Sequence, residues 1–388
     1  MNKIIFHKGC GKKQILWLQT FSFMAQGLVG IFFPFFVGEA MGWDAWQILV
    51  WASFEMLGMS LLIYPLNLFC SFFVSLKGRM GLGIGANMLF YAWLSIDLFE
   101  PIRIYGLSIL FILFLALYWP NYHRYVLGLV RDSDRGKYGG MVQMIMIGVN
   151  IVAPLISGFL WEFGLERFIL PVVILLFGFS LLMLLKLPTV HGNLSSSQKF
   201  VQIICSKILR GRFALGFFVD GIHTFTMWMF WPIYFGSVIS SFAVMGIITS
   251  IGAMAEVVFS RFTGIWTDKI SAGKMLRYGI WFRAMDLWVR GLYVFFPTVW
   301  MVGGGQLLGA FFGPLFQIPF NTRMYQIIES FKDHEFDFFV GREVVLGISR
   351  CIFGLFVAGI VYYFDSQFWW IIFFVAGFSV FGFWHWRK

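Results

Sequence analysis

The sequence predicts an all-α membrane protein: twelve transmembrane helices in two pseudo-symmetric halves of six, with both termini cytoplasmic. Three observations carry this expectation. Only 12% of the 388 residues are charged and 59% are hydrophobic, where a soluble domain carries about 25% charged residues. The apolar runs are about twice as long as the roughly 10-residue alternating strands of a membrane barrel. They are therefore helices, which satisfy their backbone polar groups within the segment. Finally, lysine and arginine are concentrated in every other connection.

At about 20 residues per crossing, spans of the first half lie near 14–36, 46–69, 80–98, 103–121, 140–161 and 168–186. Those of the second half lie near 213–235, 242–262, 277–297, 299–320, 343–364 and 367–385. Connections 1–13, 70–79, 122–139, 187–212, 263–276, 321–342 and 386–388 hold 21 lysines and arginines; the alternate set holds one, Arg167. By the positive-inside rule the basic set is cytoplasmic. The net charge of +10 is thus a topology signal, and no nucleic-acid partner is expected. Met1 to Lys13 is basic and leads into a span-length run without a small-residue cleavage site, so the first helix is expected to be retained.

The chain repeats at about half its length. Span 4 ends Tyr118-Trp-Pro-Asn-Tyr-His-Arg124 and span 10 ends Ile318-Pro-Phe-Asn-Thr-Arg323, with Pro120 and Pro319 199 residues apart. Gly78-Arg79 and Gly273-Lys274 open new helices at a separation of 195 residues. Parallel repeats of this kind divide the chain into a first half at 1–187, a cytoplasmic linker at 188–212 and a second half at 213–388.

Gly264-Ile-Trp-Thr-Asp268-Lys269-Ile-Ser-Ala-Gly273-Lys274-Met-Leu-Arg277 resembles the signature G-x-x-x-D-R/K-x-G-R/K-R/K of the major facilitator superfamily, with two extra residues between the acid and the second glycine. In the first-half copy only Gly78-Arg79 match. The resemblance implies two halves that rock about a central site, held on the cytoplasmic side by a latch of Gly264, Asp268, Lys269, Gly273, Lys274 and Arg79. A carboxylate such as Asp268 can dock on the positive end of a neighbouring helix, here the one starting near Gly139. A solvated basic turn is the alternative. Gly148-Val-Asn-Ile-Val-Ala-Pro154-Leu-Ile-Ser-Gly158 in span 5 is similar to the Gly- and Pro-rich fifth helix of the family's exporters, where small residues permit close helix approach.

Ionisable residues within spans are functional candidates by their cost. Asp220 and His223 lie one turn apart in span 7, which by the resemblance lines the cavity, and could share or relay a proton. Substrate contact or helix packing are the alternatives. Glu55 is an isolated acid in span 2, open between coupling and a local hydrogen bond to Ser53 or Ser60. Glu256 of span 8 is expected to meet Arg350 of span 11, which also carries Glu343. Arg283, Asp286 and Arg290 share one face of span 9, as an ion-paired interface or an anion site. Gln26 and Gln306 are polar candidates for a substrate cavity. Trp228 and Trp231, three apart, are candidates for substrate contact, with packing or interfacial anchoring as the alternative.

Scattered Cys10, Cys70, Cys205 and Cys351 predict free thiols, and six histidines without HxxxH spacing predict no metal site and no cofactor. No GxxxxGK[ST] loop is present, and no enzymatic constellation, so no enzyme is expected. The resulting expectation is a monomeric secondary transporter in the cytoplasmic membrane, surrounded by lipid, moving a small organic solute by proton-coupled export. Proton-coupled uptake, or facilitated diffusion of a sugar or metabolite, is the alternative of the same class. A lipid translocase or non-transporting sensor is the alternative from another.

Overall fold

The computed structural model describes residues 11–96, 100–130, 135–189, 212–329 and 335–387. Most of the expected linker, 190–211, lies outside the described residues. Within the described residues the chain is helical throughout. The first half comprises α1 (Lys12–Val29), α2 (Phe33–Met41), α3 (Ala45–Phe73), α4 (Leu76–Leu94), α5 (Glu100–Leu129), α6 (Arg135–Glu162) and α7 (Ile169–Leu185). The second comprises α8 (Arg212–Phe225), a π-helical turn (Thr226–Phe230), α9 (Trp231–Val238), α10 (Phe242–Ile270), α11 (Ala272–Leu292), α12 (Val299–Glu329), α13 (Glu335–Tyr363) and α14 (Trp370–Ser379), closed by a 3-10 segment, Val380–Arg387.

Among the described residues ten helices are long and apolar enough to cross a membrane, against the twelve expected. The segments of the other two expected spans form the helices α4 and α11, which fall short of that apolarity. They are less apolar because α4 carries Lys77, Arg79 and Asn87, and α11 carries Lys274, Arg277, Arg283, Asp286 and Arg290.

Local sequence sets the helix starts. Asp44 and Gln47 form a capping box on α3, with the Asp44 N–H donating to Gln47 Oε1 at 2.8 Å, and the Ser75 hydroxyl accepts from the Gly78 N–H at 3.1 Å to start α4. Pro120 and Pro319, placed at span ends by the sequence, lie inside α5 and α12, which run on to Leu129 and Glu329. A proline removes one backbone bond, and packing against neighbouring helices compensates. The expected loop at 263–276 is also shorter: α10 continues to Ile270, and the chain turns at Ser271, whose φ of 84° is left-handed.

Helix contacts follow one scheme in each half. In the first, α1 packs on α6 and α7, α5 on α3 and α4, and α4 on α7. In the second, α8 packs on α13 and the terminal 3-10 segment, α12 on α10 and α11, and α11 on α14. The halves meet chiefly along α3 against α13 and α6 against α10. At the latter seam Gly158 and Gly246 let the backbones touch: a Cβ on Gly246 would collide with the Pro154 carbonyl, and one on Gly158 would sit 2.5 Å from the Phe242 carbonyl oxygen. Lys77 ties α4 to the end of α7, donating to the Leu185 and Leu187 carbonyls at 2.7 Å each, a favourable place for a cation.

Candidate functional site

A cavity of about 600 Å³ lies between the halves. Its wall is built from α1 (Gln26), α5 (Trp119), α6 (Asn150), α10 (Glu256), α11 (Arg283, Arg290) and α12 (Gln306, Gln317). Gln26 and Gln306, singled out in the sequence, both face it. The Gln26 Nε2 and the Gln306 Oε1 are buried without a hydrogen-bond partner, so this wall offers an unused donor and an unused acceptor.

The three charges of α11 form one ion-paired unit. Asp286, 1% exposed, accepts from Arg283 at 3.1 Å and from Arg290 at 2.9 Å. Arg290 also donates to the Gly305 carbonyl at 3.1 Å, and its guanidinium stands 4.0 Å above the Trp231 ring. Arg283 contacts His223. Glu256 does not meet Arg350, as the sequence suggested. It lines the central cavity near enough to Arg283 to interact electrostatically, whereas Arg350 faces a different pocket. Helical spacing fixes which face a residue occupies, not which helix lies opposite.

That second pocket, of about 280 Å³, lies among α3, α5, α8 and α13 and shares Trp119 with the central cavity. It contains the Asp220 partner that the sequence did not reveal: Arg342, which spans Asp220 at 3.5 Å and Glu343 at 2.7 Å. Arg350 donates to the Thr224 hydroxyl at 3.1 Å and reaches Met56 Sδ at 3.8 Å across the seam between halves. His123 of α5 stacks on Phe339 of α13 with centroids 5.2 Å apart. Asp220 and His223 are both 6% exposed, but they do not share a proton directly. Asp220 points to Arg342 on α13 and His223 to Arg283 on α11.

Trp228 and Trp231 also part company. The intervening π turn widens the helix and shifts its register. Trp228 lines the second pocket, stacked on Phe33 at 5.7 Å, while Trp231 is buried beneath Arg290. Glu55 is 2% exposed and lines neither of these pockets. It lies near enough to Ser108 of α5 to interact with it; Ser53 and Ser60 instead donate to the carbonyls of Leu49 and Met56 in their own helix.

Gly264 and Lys269 lie on the last turns of α10, and Gly273 and Lys274 on the first turn of α11; the side chain of Asp268 lies outside the described residues. Arg79 is fully buried and donates to the Asn67 carbonyl of α3 at 3.5 Å. α4 begins at Leu76 and carries Arg79 on its first turn.

At the helix ends remote from most lysines and arginines, aromatic side chains of α2, α6 and α10 pack together and line a separate pocket. Phe242 meets Trp161 at 4.5 Å and Phe35 at 5.5 Å, centroid to centroid. Glu162 accepts from the Ser241 hydroxyl at 2.8 Å and from the Ala243 N–H at 3.3 Å. Toward the basic ends the cavity reaches the exposed Gln317.

No protein-family model and no curated protein sequence matches the chain. Solved structures do. A POT family transporter in complex with 5-aminolevulinic acid superposes with a TM-score of 0.73 at 11% identity, over 95% of this chain and 93% of that one. The nucleoside transporter NupG gives a TM-score of 0.69 at 16% identity, covering 97% and 100%. A D-xylose-proton symporter gives 0.66 at 13% identity, covering 95% of each chain. The chain has the major facilitator fold. At these identities the likeness is one of fold, and major facilitator architecture accounts for the central cavity between α1, α6, α10 and α12.

Proposed function

We propose that the protein is a secondary transporter of the major facilitator type, moving a small polar solute across a membrane by alternating access, coupled to protons and in the direction of export. The observation that carries this reading is the cavity between two sets of helices that repeat one packing scheme, lined by charged and amide side chains and reaching the exposed Gln317 toward the basic ends. A transporter needs a site whose access switches sides. Switching here requires the aromatic contacts of Phe242 and the Glu162–Ser241 bond to break while the basic ends close. We place the basic ends in the cytoplasm of a cell that carries the protein in its cytoplasmic membrane, and assign twelve crossings, with α4 and α11 as charged spans. The halves at 1–187 and 213–388 are the rocking bodies. Asp220 is the proposed proton carrier, since its protonation removes the charge that holds Arg342. The export direction rests on the close approach of α6 and α10 at Gly158 and Gly246, the packing role the span 5 motif implies. The solved relatives are described as binding or carrying an amino acid, a nucleoside and a sugar with a proton, which fits a small solute in this cavity.

The test uses liposomes holding the protein and an internal pH dye. A proton gradient is imposed and pooled solutes are added to wild type and Asp220→Asn. Solute-triggered proton flux that disappears in the variant supports coupling, and its sign distinguishes export from uptake. Solute flux without proton movement removes the coupling and leaves facilitated diffusion. Absence of any solute flux overturns the transporter reading.

A further inference from the structure

Arginines of α11 reach the central cavity although α11 itself packs outside α12, against α12 and α14. Two glycines one turn apart on α12 make this possible. A Cβ on Gly309 would collide with the Arg290 guanidinium and lie 3.4 Å from Asp286, and one on Gly313 would lie 3.9 Å from Arg283. The wall of α12 is bare where the two guanidiniums pass it.

The unit they form has charge to spare. Two guanidiniums share one carboxylate, Asp286, and the Arg283 Nε and Arg290 Nη1 are buried with no hydrogen-bond partner. Arg290 is already fixed by Asp286, Gly305 and Trp231, so its unused donor is held in place before any ligand arrives. On the facing wall, Glu256 makes no ion pair within 4.0 Å among the described residues, yet it interacts with Arg283 through space. The cavity therefore carries an unsatisfied positive region and an unsatisfied negative group, and Arg283, Arg290, Asp286 and Glu256 sum to zero charge. A buried charge is tolerated when it is paired. A solute that is only an anion or only a cation would pair one region and leave the other.

Resting on the transporter reading above, we propose that the solute is a small zwitterion of the amino-acid or short-peptide class. Its carboxylate is bound by Arg283 and Arg290 beside the Gly309–Gly313 window, and its ammonium by Glu256. The amides of Gln26 and Gln306 take the remaining polar atoms. Guanidinium groups suit this role because they present several donors in a plane to a carboxylate.

The experiment uses proteoliposomes and purified protein with three matched pools: free L-amino acids and dipeptides, the same compounds N-acetylated, and the same compounds as methyl esters. Sugars and nucleosides form a fourth pool. Binding is read by thermal shift and transport by counterflow of radiolabel. Members of the zwitterion pool should bind, and removing either charge should weaken binding at least about ten-fold, the scale of one lost charged hydrogen bond. Arg283→Gln should erase the preference for free acid over ester. Gly313→Leu, which fills the window and leaves every charge in place, should do the same. If Arg283→Gln does not fold, the derivative series on the wild type and Gly313→Leu decide. Equal binding of an ester or an N-acetyl compound overturns the proposal, as does binding confined to sugars or nucleosides, or no binding from the zwitterion pool. Zwitterions that bind with this selectivity but are not carried would instead overturn the transporter reading and leave the site.

Discussion

Asp286→Asn sets two physical effects of opposite sign against each other. Taken as a charge in a membrane helix, Asp286 is a burden, and its neutralisation should favour the inserted protein by about 2.5–3.5 kcal/mol. Taken as the shared partner of Arg283 at 3.1 Å and Arg290 at 2.9 Å, it is the group that makes two buried guanidiniums tolerable. At an effective dielectric near 20, each contact is worth roughly 5 kcal/mol of gross attraction, and removing one partner of a buried pair costs about 3–5 kcal/mol. The cost of breaking a buried pair already contains the desolvation that neutralisation relieves, and asparagine keeps one oxygen that can still accept from one arginine, so the lower end is expected: a net destabilisation of about 3 kcal/mol. Unfolding in mixed micelles titrated with dodecyl sulfate, followed by tryptophan fluorescence, measures it. The Arg283→Gln/Asp286→Asn double variant should be more stable than the sum of its single effects, by about 1–2 kcal/mol of coupling. Stability of Asp286→Asn equal to or above wild type would show that the ion-paired unit does not hold α11 in place.

Gly246→Val should separate α6 from α10 at the Pro154 carbonyl; thermal shift should report a loss of about 1–3 kcal/mol, and flux should fall while the protein still purifies as a monodisperse species. Ser241→Ala removes a donor from Glu162 at the end away from most basic residues, so a cysteine placed at Gly30, which lines the central cavity, should be labelled several-fold faster by an impermeant thiol reagent applied from that side; an unchanged rate would mean that the Glu162–Ser241 bond does not control access there. Asp268→Asn should slow transport and leave solute binding intact, and equal transport rates would remove the latch.

Much of the helix order was legible because it depends on quantities that add along the chain. Apolar length marks ten of the helices, and the alternation of lysine and arginine points to α4 and α11 even though Arg79 and the five charges of α11 depress their hydropathy. Gln26 and Gln306 as cavity candidates, and Glu256 and Arg283 as candidate ion-pair members, stand out for a related reason: a polar group in a span is costly, so its presence alone draws notice. Pairings were less accessible. Glu256 and Arg350 are both plausible partners by depth, but the tertiary arrangement puts Arg283 beside one and Thr224 beside the other. The Trp228–Trp231 face failed because a π turn cannot be read from helical periodicity, and Asp220–Arg342 joins residues more than a hundred positions apart. Nothing in the sequence separates Gly309 and Gly313 from other helix glycines. Their function as a window follows only once an arginine is seen passing them.

One turn of α8 links the two charged regions. Asp220 turns toward Arg342 and the second pocket, and three residues later His223 turns toward Arg283 and the central cavity. Coupled transport requires that protonation at one place alter the energy of solute binding at another, by way of an element that touches both. In the proposed mechanism α8 is that element. Releasing Arg342 from a protonated Asp220 removes one of the bonds between α8 and α13, leaving those of Arg350 and Ser349, and filling the carboxylate site draws on Arg283 and hence on His223. The π turn at Thr226–Phe230 lies directly after these residues. Such a turn is a place where a helix can shift register without losing its backbone bonds. On that proposal Asp220 and His223 occupy one helix without touching because a direct proton relay would need them together, whereas coupling between separate sites needs them turned apart.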